Sequence, residues 1–202
     1  MVCNSGVGLT PIVNGQCHHF SAGGLYNGLV LLIDDETRSY WDHITGACVH
    51  GPMSGHRMPV WNVQLTTVAH ALEGMPDLLL LLSRQSLSAR LISWFLNLPF
   101  ARTIIPPGFR RTMGPPDKRL DEMQMGLGLI SANAQRFYPL TCIGSGIEDN
   151  WLGQAIHIAL NPTDGIPDAR FPDQSRPLQL FSRWYGFSYT FPQSEIYGMD
   201  IT

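Results

Sequence analysis

Residues 27–52 read NGLVLLIDDETRSYWDHITGACVHGP, and their order decides the fold class. Asn27-Gly28 is a two-residue turn pair, favoured because both central positions of such a hairpin turn need positive φ. The aliphatic run that follows, Leu29 to Ile33, predicts a buried strand. Asp34-Asp35-Glu36 predicts a charged turn into a second strand over 39–43. Thr45-Gly46 turns the chain again into a strand over 47–50, and Gly51-Pro52 and Gly55 punctuate the approach to another around 58–64. Upstream, Asn14-Gly15 separates Leu9 to Val13 from Cys17 to Phe20, a further hairpin signal. The first third of the chain therefore reads as a β-meander.

Beyond it, Thr66 or Thr67 is placed to cap a short helix that Gly74 ends, with Pro76 just past the stop. Residues 77–83 predict a core strand. Over 85–98, Leu87, Leu91, Trp94, Phe95 and Leu98 fall on one helical face before Pro99 closes the pattern. The stretch 106–116, rich in Pro, Gly and Arg, predicts an ordered loop. Strand patterns return over 125–130, 136–140, 154–160 and 178–190, and the proline-rich stretch 161–177 predicts a long surface loop. The expected class is α+β, mainly antiparallel β in a meander or barrel-like sheet, with about two helices and one domain across residues 1–202.

Only 14% of the 202 residues are charged, and no Asp, Glu, Lys or Arg precedes Asp34. An apolar content of 44% argues against intrinsic disorder. A net charge of −3 argues against a generally basic nucleic-acid-binding surface, so no nucleic-acid partner is expected. The uncharged opening lacks the basic segment and unbroken apolar core of a signal peptide. No apolar run reaches the roughly 20 residues that span a bilayer. The chain as it stands thus reads as cytoplasmic, with no membrane span. Cys3, Cys17, Cys48 and Cys142 form no CxxC pair, which argues against a structural zinc site or a redox dithiol and predicts free, mostly buried thiols.

Two readings stand for Asp34, Thr37, Ser39 and Trp41. Asp, Thr and Ser in a tight turn hydrogen-bond neighbouring backbone N–H groups, which makes them turn chemistry before a strand that buries Trp41. Alternatively they form the polar floor and aromatic wall of a pocket. Six of the seven histidines lie before residue 71. With Cys3 they offer ligands for copper or zinc, and His19, His43 and His50 are the candidates, because His43 and His50 flank the Thr45-Gly46 turn. His18 and His19 point to opposite sides of a strand, so at most one of them joins such a site. No H-x-H or HExxH spacing accompanies them, and the simpler reading is a protein without a cofactor. Gly144-Ser145-Gly146 lacks the nucleophile elbow of serine hydrolases, which leaves a thiol at Cys3 as the candidate nucleophile. Arg84, Arg90, Arg102, Arg110 and Arg111 occur with no acid among them. That pattern fits either a membrane-surface helix or, as preferred, a helix packing its apolar face on the sheet.

Four segments resemble one bacterial and archaeal family, the domain of unknown function 3179. Cys3 to Gly8 (CNSGVG) is similar to its cysteine-containing opening segment, and Phe20 to Asn27 (FSAGGLYN) to its next block. Asp34 to Trp41, then Ile44-Thr45-Gly46, then Gly51 to Gly55, resemble its D-x-x-T-x-S-x-W, x-T-G and G-P-x-x-G signature. Arg119 to Gly128 with Ala134 to Leu140 resembles the segment ending in Ala-Tyr-Pro-Leu. Gly6 stands where many members carry a second cysteine. The resemblance implies no known reaction. It marks Cys3, Asp34, Thr37, Ser39, Trp41, Gly46, Gly51 and Gly55 as motif or pocket residues, and relatives that look exported imply an envelope-associated role. The expected function is binding or structural, with a small-molecule or protein partner. The alternative is an enzyme or metal carrier using the histidines and Cys3.

Overall fold

The computed structural model describes residues 6–79, 86–96 and 107–199. Its N-terminal half is the meander. Strand β1 (Gly8–Leu9) leads into the hairpin β2 (Ile12–Val13) and β3 (Gln16–Cys17), whose turn residues Asn14 and Gly15 have φ of 51° and 78°. Strands β4 (Phe20–Tyr26), β5 (Leu29–Asp34), β6 (Tyr40–Asp42) and β7 (Cys48–His50) follow as one antiparallel four-stranded sheet in sequence order. Asn27 and Gly28 make the β4–β5 turn with φ of 50° and 72°. The chain then closes on itself, because β8 (Val60–Trp61) pairs with β1. Val13, Trp41, Cys48 and Met58 form the buried core of this half, with Leu9, Phe20, Leu32 and Met53 against it.

Helix α1 (Val68–Gly74) starts where the sequence predicts, with Thr67 Oγ1 accepting from the His70 N–H at 3.3 Å. Residues 77–79 are irregular rather than extended, and the remainder of the predicted core strand over 77–83 lies outside the described residues. Helix α2 (Leu87–Leu96) forms on the expected pattern, and α3 (Pro107–Arg110) is a single turn inside the predicted loop. Of the face expected to pack on the sheet, Leu87, Leu91 and Trp94 are exposed, while Leu98 lies outside the described residues.

The second half is built on β9 (Met125–Ile130), β10 (Gln135–Pro139), the short helix α4 (Leu140–Ile143), β11 (Ile147–Trp151), β12 (Gln154–Leu160), β13 (Pro167–Arg170), β14 (Leu178–Arg183), α5 (Trp184–Thr190) and β15 (Glu195–Ile196). One sheet has the order β14-β9-β10-β15, and a second has β11-β12-β13. All pairings here are antiparallel except β10 with β15. The fold is α+β and mainly antiparallel β, but it is no barrel. The described strands lie in separate open sheets of two to four strands.

Two predicted spans change here for identifiable reasons. The predicted strand over 178–190 breaks at Trp184. Its aromatic second half coils into α5, where Trp184, Tyr185 and Phe187 are buried. Helical spacing brings Trp184 and Phe187 onto Phe137, with centroids 5.0 and 5.2 Å away. The predicted loop over 161–177 contains β13, because Pro167 heads the strand at an edge where its missing N–H costs no ladder bond. The two halves share one cluster. Leu29 and Ile44 of the meander pack with Phe137, Leu180, Trp184, Tyr185 and Phe187. Asn62 adds polar ties, donating to the Pro177 carbonyl and accepting from the Gln179 N–H.

Candidate functional site

The β4–β5 hairpin sets the geometry of the signature segment. From the Asn27-Gly28 turn, Tyr26 pairs with Leu29, Leu25 with Val30 and Gly24 with Leu31. A bulge at Gly23-Gly24 then shifts the register by one, so that Ala22 faces Leu32 and Phe20 faces Asp34. Without that extra residue Phe20 would face Asp35. The shifted ladder runs on past the strand ends, where the Asp35 N–H donates to the His19 carbonyl at 2.9 Å. His18 therefore comes opposite Glu36.

Asp34 is fully buried at the end of β5. Its Oδ2 accepts from the Trp41 indole N–H at 2.7 Å and from the Ser39 N–H at 3.2 Å. Its Oδ1 accepts from the Thr37 N–H and, at 2.8 Å, from the Thr37 hydroxyl. The Thr37 and Ser39 hydroxyls lie 2.7 Å apart, and Ser39 Oγ accepts from the Met53 N–H at 3.1 Å. The D-x-x-T-x-S-x-W spacing is thus one carboxylate with its donors, and it ties the β5–β6 turn to the Gly51–Gly55 segment. Burial pushes the Asp34 carboxyl upward, but the bonds from Trp41 and Thr37 outweigh it and hold the group below the usual carboxylate range.

The signature glycines sit where backbones touch. A side chain on Gly51, whose φ is 112°, would meet Ser39 Cα at 2.8 Å. One on Gly46 would meet the Met58 carbonyl at 2.6 Å, beside the bond from the Met58 N–H to the Gly46 carbonyl. Gly55 lies in the turn that follows Gly51. Cys3 lies outside the described residues. Among the described cysteines Cys48 is buried while Cys17 and Cys142 are exposed, and all three are free, so the expectation of mostly buried thiols does not hold for this set.

The histidines divide differently from the predicted set. His18 is buried, packed edge-on to Trp41 and stacked near Phe20. Its Nδ1 has no hydrogen-bond partner, and lies 3.6 Å from Asp34 Oδ1 and 3.7 Å from Glu36 Oε2. Among the described residues, His18, Asp34 and Glu36 are the group whose ligand atoms converge within 4.8 Å. His19 is exposed on the other side and holds Glu36 from outside, with Nδ1 2.6 Å from Oε1 and its N–H donating to the same carboxylate. The bond to Glu36 raises the His19 pKa, and the same bond lowers that of Glu36.

The structure does not bring His19, His43 and His50 together. His43 sits in the turn after β6, whereas His50 is exposed at the far end of β7 beside the Tyr40 ring. The sequence pattern does not mark the pairing of His18 with Glu36, because they become neighbours only through the bulge. The Gly23-Gly24 pair inside a strand pattern was the available signal. A groove of about 500 Å³ lies elsewhere, between residues 62–65 and the β12–β13 edge, with Asp168, Arg170 and Arg176 on its wall.

Fold and site together define a mainly antiparallel α+β protein whose N-terminal sheet holds a buried, hydrogen-bonded carboxylate with a histidine–carboxylate cluster beside it. The chain belongs to the family described as Protein of unknown function (DUF3179), whose model matches residues 1–157. No curated protein and no solved structure matches the chain.

Proposed function

We propose that this is a binding domain that carries a divalent metal ion of the zinc class on His18 Nδ1, Asp34 Oδ1 and Glu36 Oε2. One observation carries the reading: a buried imidazole nitrogen without a hydrogen-bond partner faces two carboxylate oxygens. The separations of 3.6 and 3.7 Å exceed a hydrogen bond. They are close to the roughly 3.3–3.4 Å between two ligands that each lie about 2.0–2.1 Å from one tetrahedral ion. Buried polar groups are nearly always satisfied, and an ion would satisfy this one. The wider signature supports the same reading. Thr37, Ser39 and Trp41 fix the Asp34 carboxylate, as outer hydrogen bonds orient metal ligands, and His19 fixes Glu36.

Isothermal titration of chelator-treated protein with zinc tests this. One ion per chain is expected, with binding at least about tenfold weaker in His18→Ala and Glu36→Gln, the loss typical when a ligand or its support is removed. Circular dichroism of both variants must match the parent. Absence of stoichiometric zinc, or equal affinity in parent and both variants, overturns the assignment.

A further inference from the structure

Helix α2 presents an apolar face to solvent. Leu87, Leu91 and Trp94 follow one another at spacings of four and three, so they share one side of the helix. They are 82%, 66% and 63% exposed, and Leu79, ahead of the helix, is 95% exposed. Soluble surfaces carry single exposed leucines routinely, but not a helical stripe of them capped by a tryptophan. Arg90 is also exposed, and its position on the helical wheel borders this stripe. From residue 78 to residue 116 the sequence holds five arginines and no aspartate or glutamate, in a chain whose overall charge is −3. The apolar stripe therefore lies in a segment that is basic in sequence, with Arg110 at its end paired to Glu122 at 2.7 Å, in a protein of net negative charge.

We propose that α2 docks in the plane of an anionic lipid surface, with Leu87, Leu91 and Trp94 entering the headgroup–acyl boundary and Arg90 extending to the phosphates. The charge pattern selects this occupant. An interfacial helix combines apolar residues on one side with arginine at the border and binds where negative lipid attracts it. A tryptophan suits that depth because its ring is apolar at one end and polar at the other. The serines at positions 86, 88 and 93 fall outside the stripe. Surface docking needs no spanning helix, and among the described residues no helix is long and apolar enough to cross a membrane. The inference is independent of the metal site.

Co-sedimentation with sucrose-loaded vesicles tests it, comparing pure phosphatidylcholine with a mixture containing one-third phosphatidylglycerol. Binding to the mixed vesicles is expected, with little to the neutral ones, and it should weaken as salt is raised. Arg90→Gln should bind about fivefold more weakly, the factor for one basic residue at such a surface. The double variant Leu87→Ser/Leu91→Ser should lose binding while keeping the parent's thermal melt, since both positions are exposed. Failure to bind anionic vesicles overturns the proposal, as does binding that the double variant retains. So does a dimer in sedimentation velocity that the double variant abolishes without any vesicle binding, because the stripe then serves a second copy of the chain.

Discussion

Asp34 shows how one side chain holds a turn. A buried carboxylate is costly unless its oxygens are satisfied, and here Thr37, Ser39 and Trp41 supply donors from both backbone and side chain. Removing it would strand a buried indole N–H, the Thr37 hydroxyl and the backbone N–H groups of Thr37 and Ser39. Asp34→Ala is expected to cost about 3 kcal/mol or more in urea denaturation, the scale for breaking a buried charged network from one side. Asp34→Asn keeps the shape but loses the charge and should fall between parent and alanine. A loss under about 1 kcal/mol for the alanine variant would contradict this role. The alternative of a pocket floor gains no support from the geometry, since Trp41 has no exposed surface and its N–H is bonded to Asp34.

At the scale of elements, close packing decides more than propensity. Strand β9 runs through the centre of its sheet, and Gly128 leaves room for the Phe187 ring of α5. A side-chain carbon at Gly128 would lie 1.9 Å from Phe187 Cε2. Gly128→Ala therefore forces α5 away from the sheet and is expected to lower stability by about 1–3 kcal/mol, the usual range for overpacking a core. Thermal unfolding followed by circular dichroism measures this, and an unchanged midpoint would mean that α5 accommodates the methyl group without loss. The β4–β5 bulge acts by the same logic on register. One extra residue exchanges the side-chain pairs beyond it, and this selects His18 over His19 for the position facing Glu36.

Across the whole molecule, Arg136 links three strands. It donates to Asp149 on β11 at 2.7 Å and to Glu195 on β15 at 2.7 Å, and its guanidinium lies over the Trp151 ring. Tyr138 donates its hydroxyl to the same Asp149 oxygen at 2.7 Å. Burial raises the Asp149 carboxyl, but Tyr138, the Asn150 N–H and Arg136 outweigh it and leave its pKa below the ordinary value. A carboxyl whose folded pKa is depressed adds stability that is complete above its unfolded pKa, about 3.9, and is lost as pH falls through the folded value. The parent should therefore melt progressively earlier as pH drops below about 4. Asp149→Asn should be less stable at neutral pH by about 1–3 kcal/mol and show a shallower acid decline. Parallel acid declines in the two proteins would remove Asp149 from this account. The meander, its Asn-Gly turns, a cap at Thr66 or Thr67, α2 and the α+β class were legible in the sequence, because turn chemistry and apolar periodicity are local properties of the chain. The family signature was legible too, down to the turn-forming roles of Asp34, Thr37 and Ser39. The folding of residues 184–190 into a buried helix, the separation of the strands into open sheets and the exposed face of α2 were not. Each of these depends on which surfaces distant segments offer for burial. The convergence of His18 with Asp34 and Glu36 belongs to the tertiary structure for the same reason: a one-residue bulge sets the partners across the hairpin, and no residue's own preference records its partner.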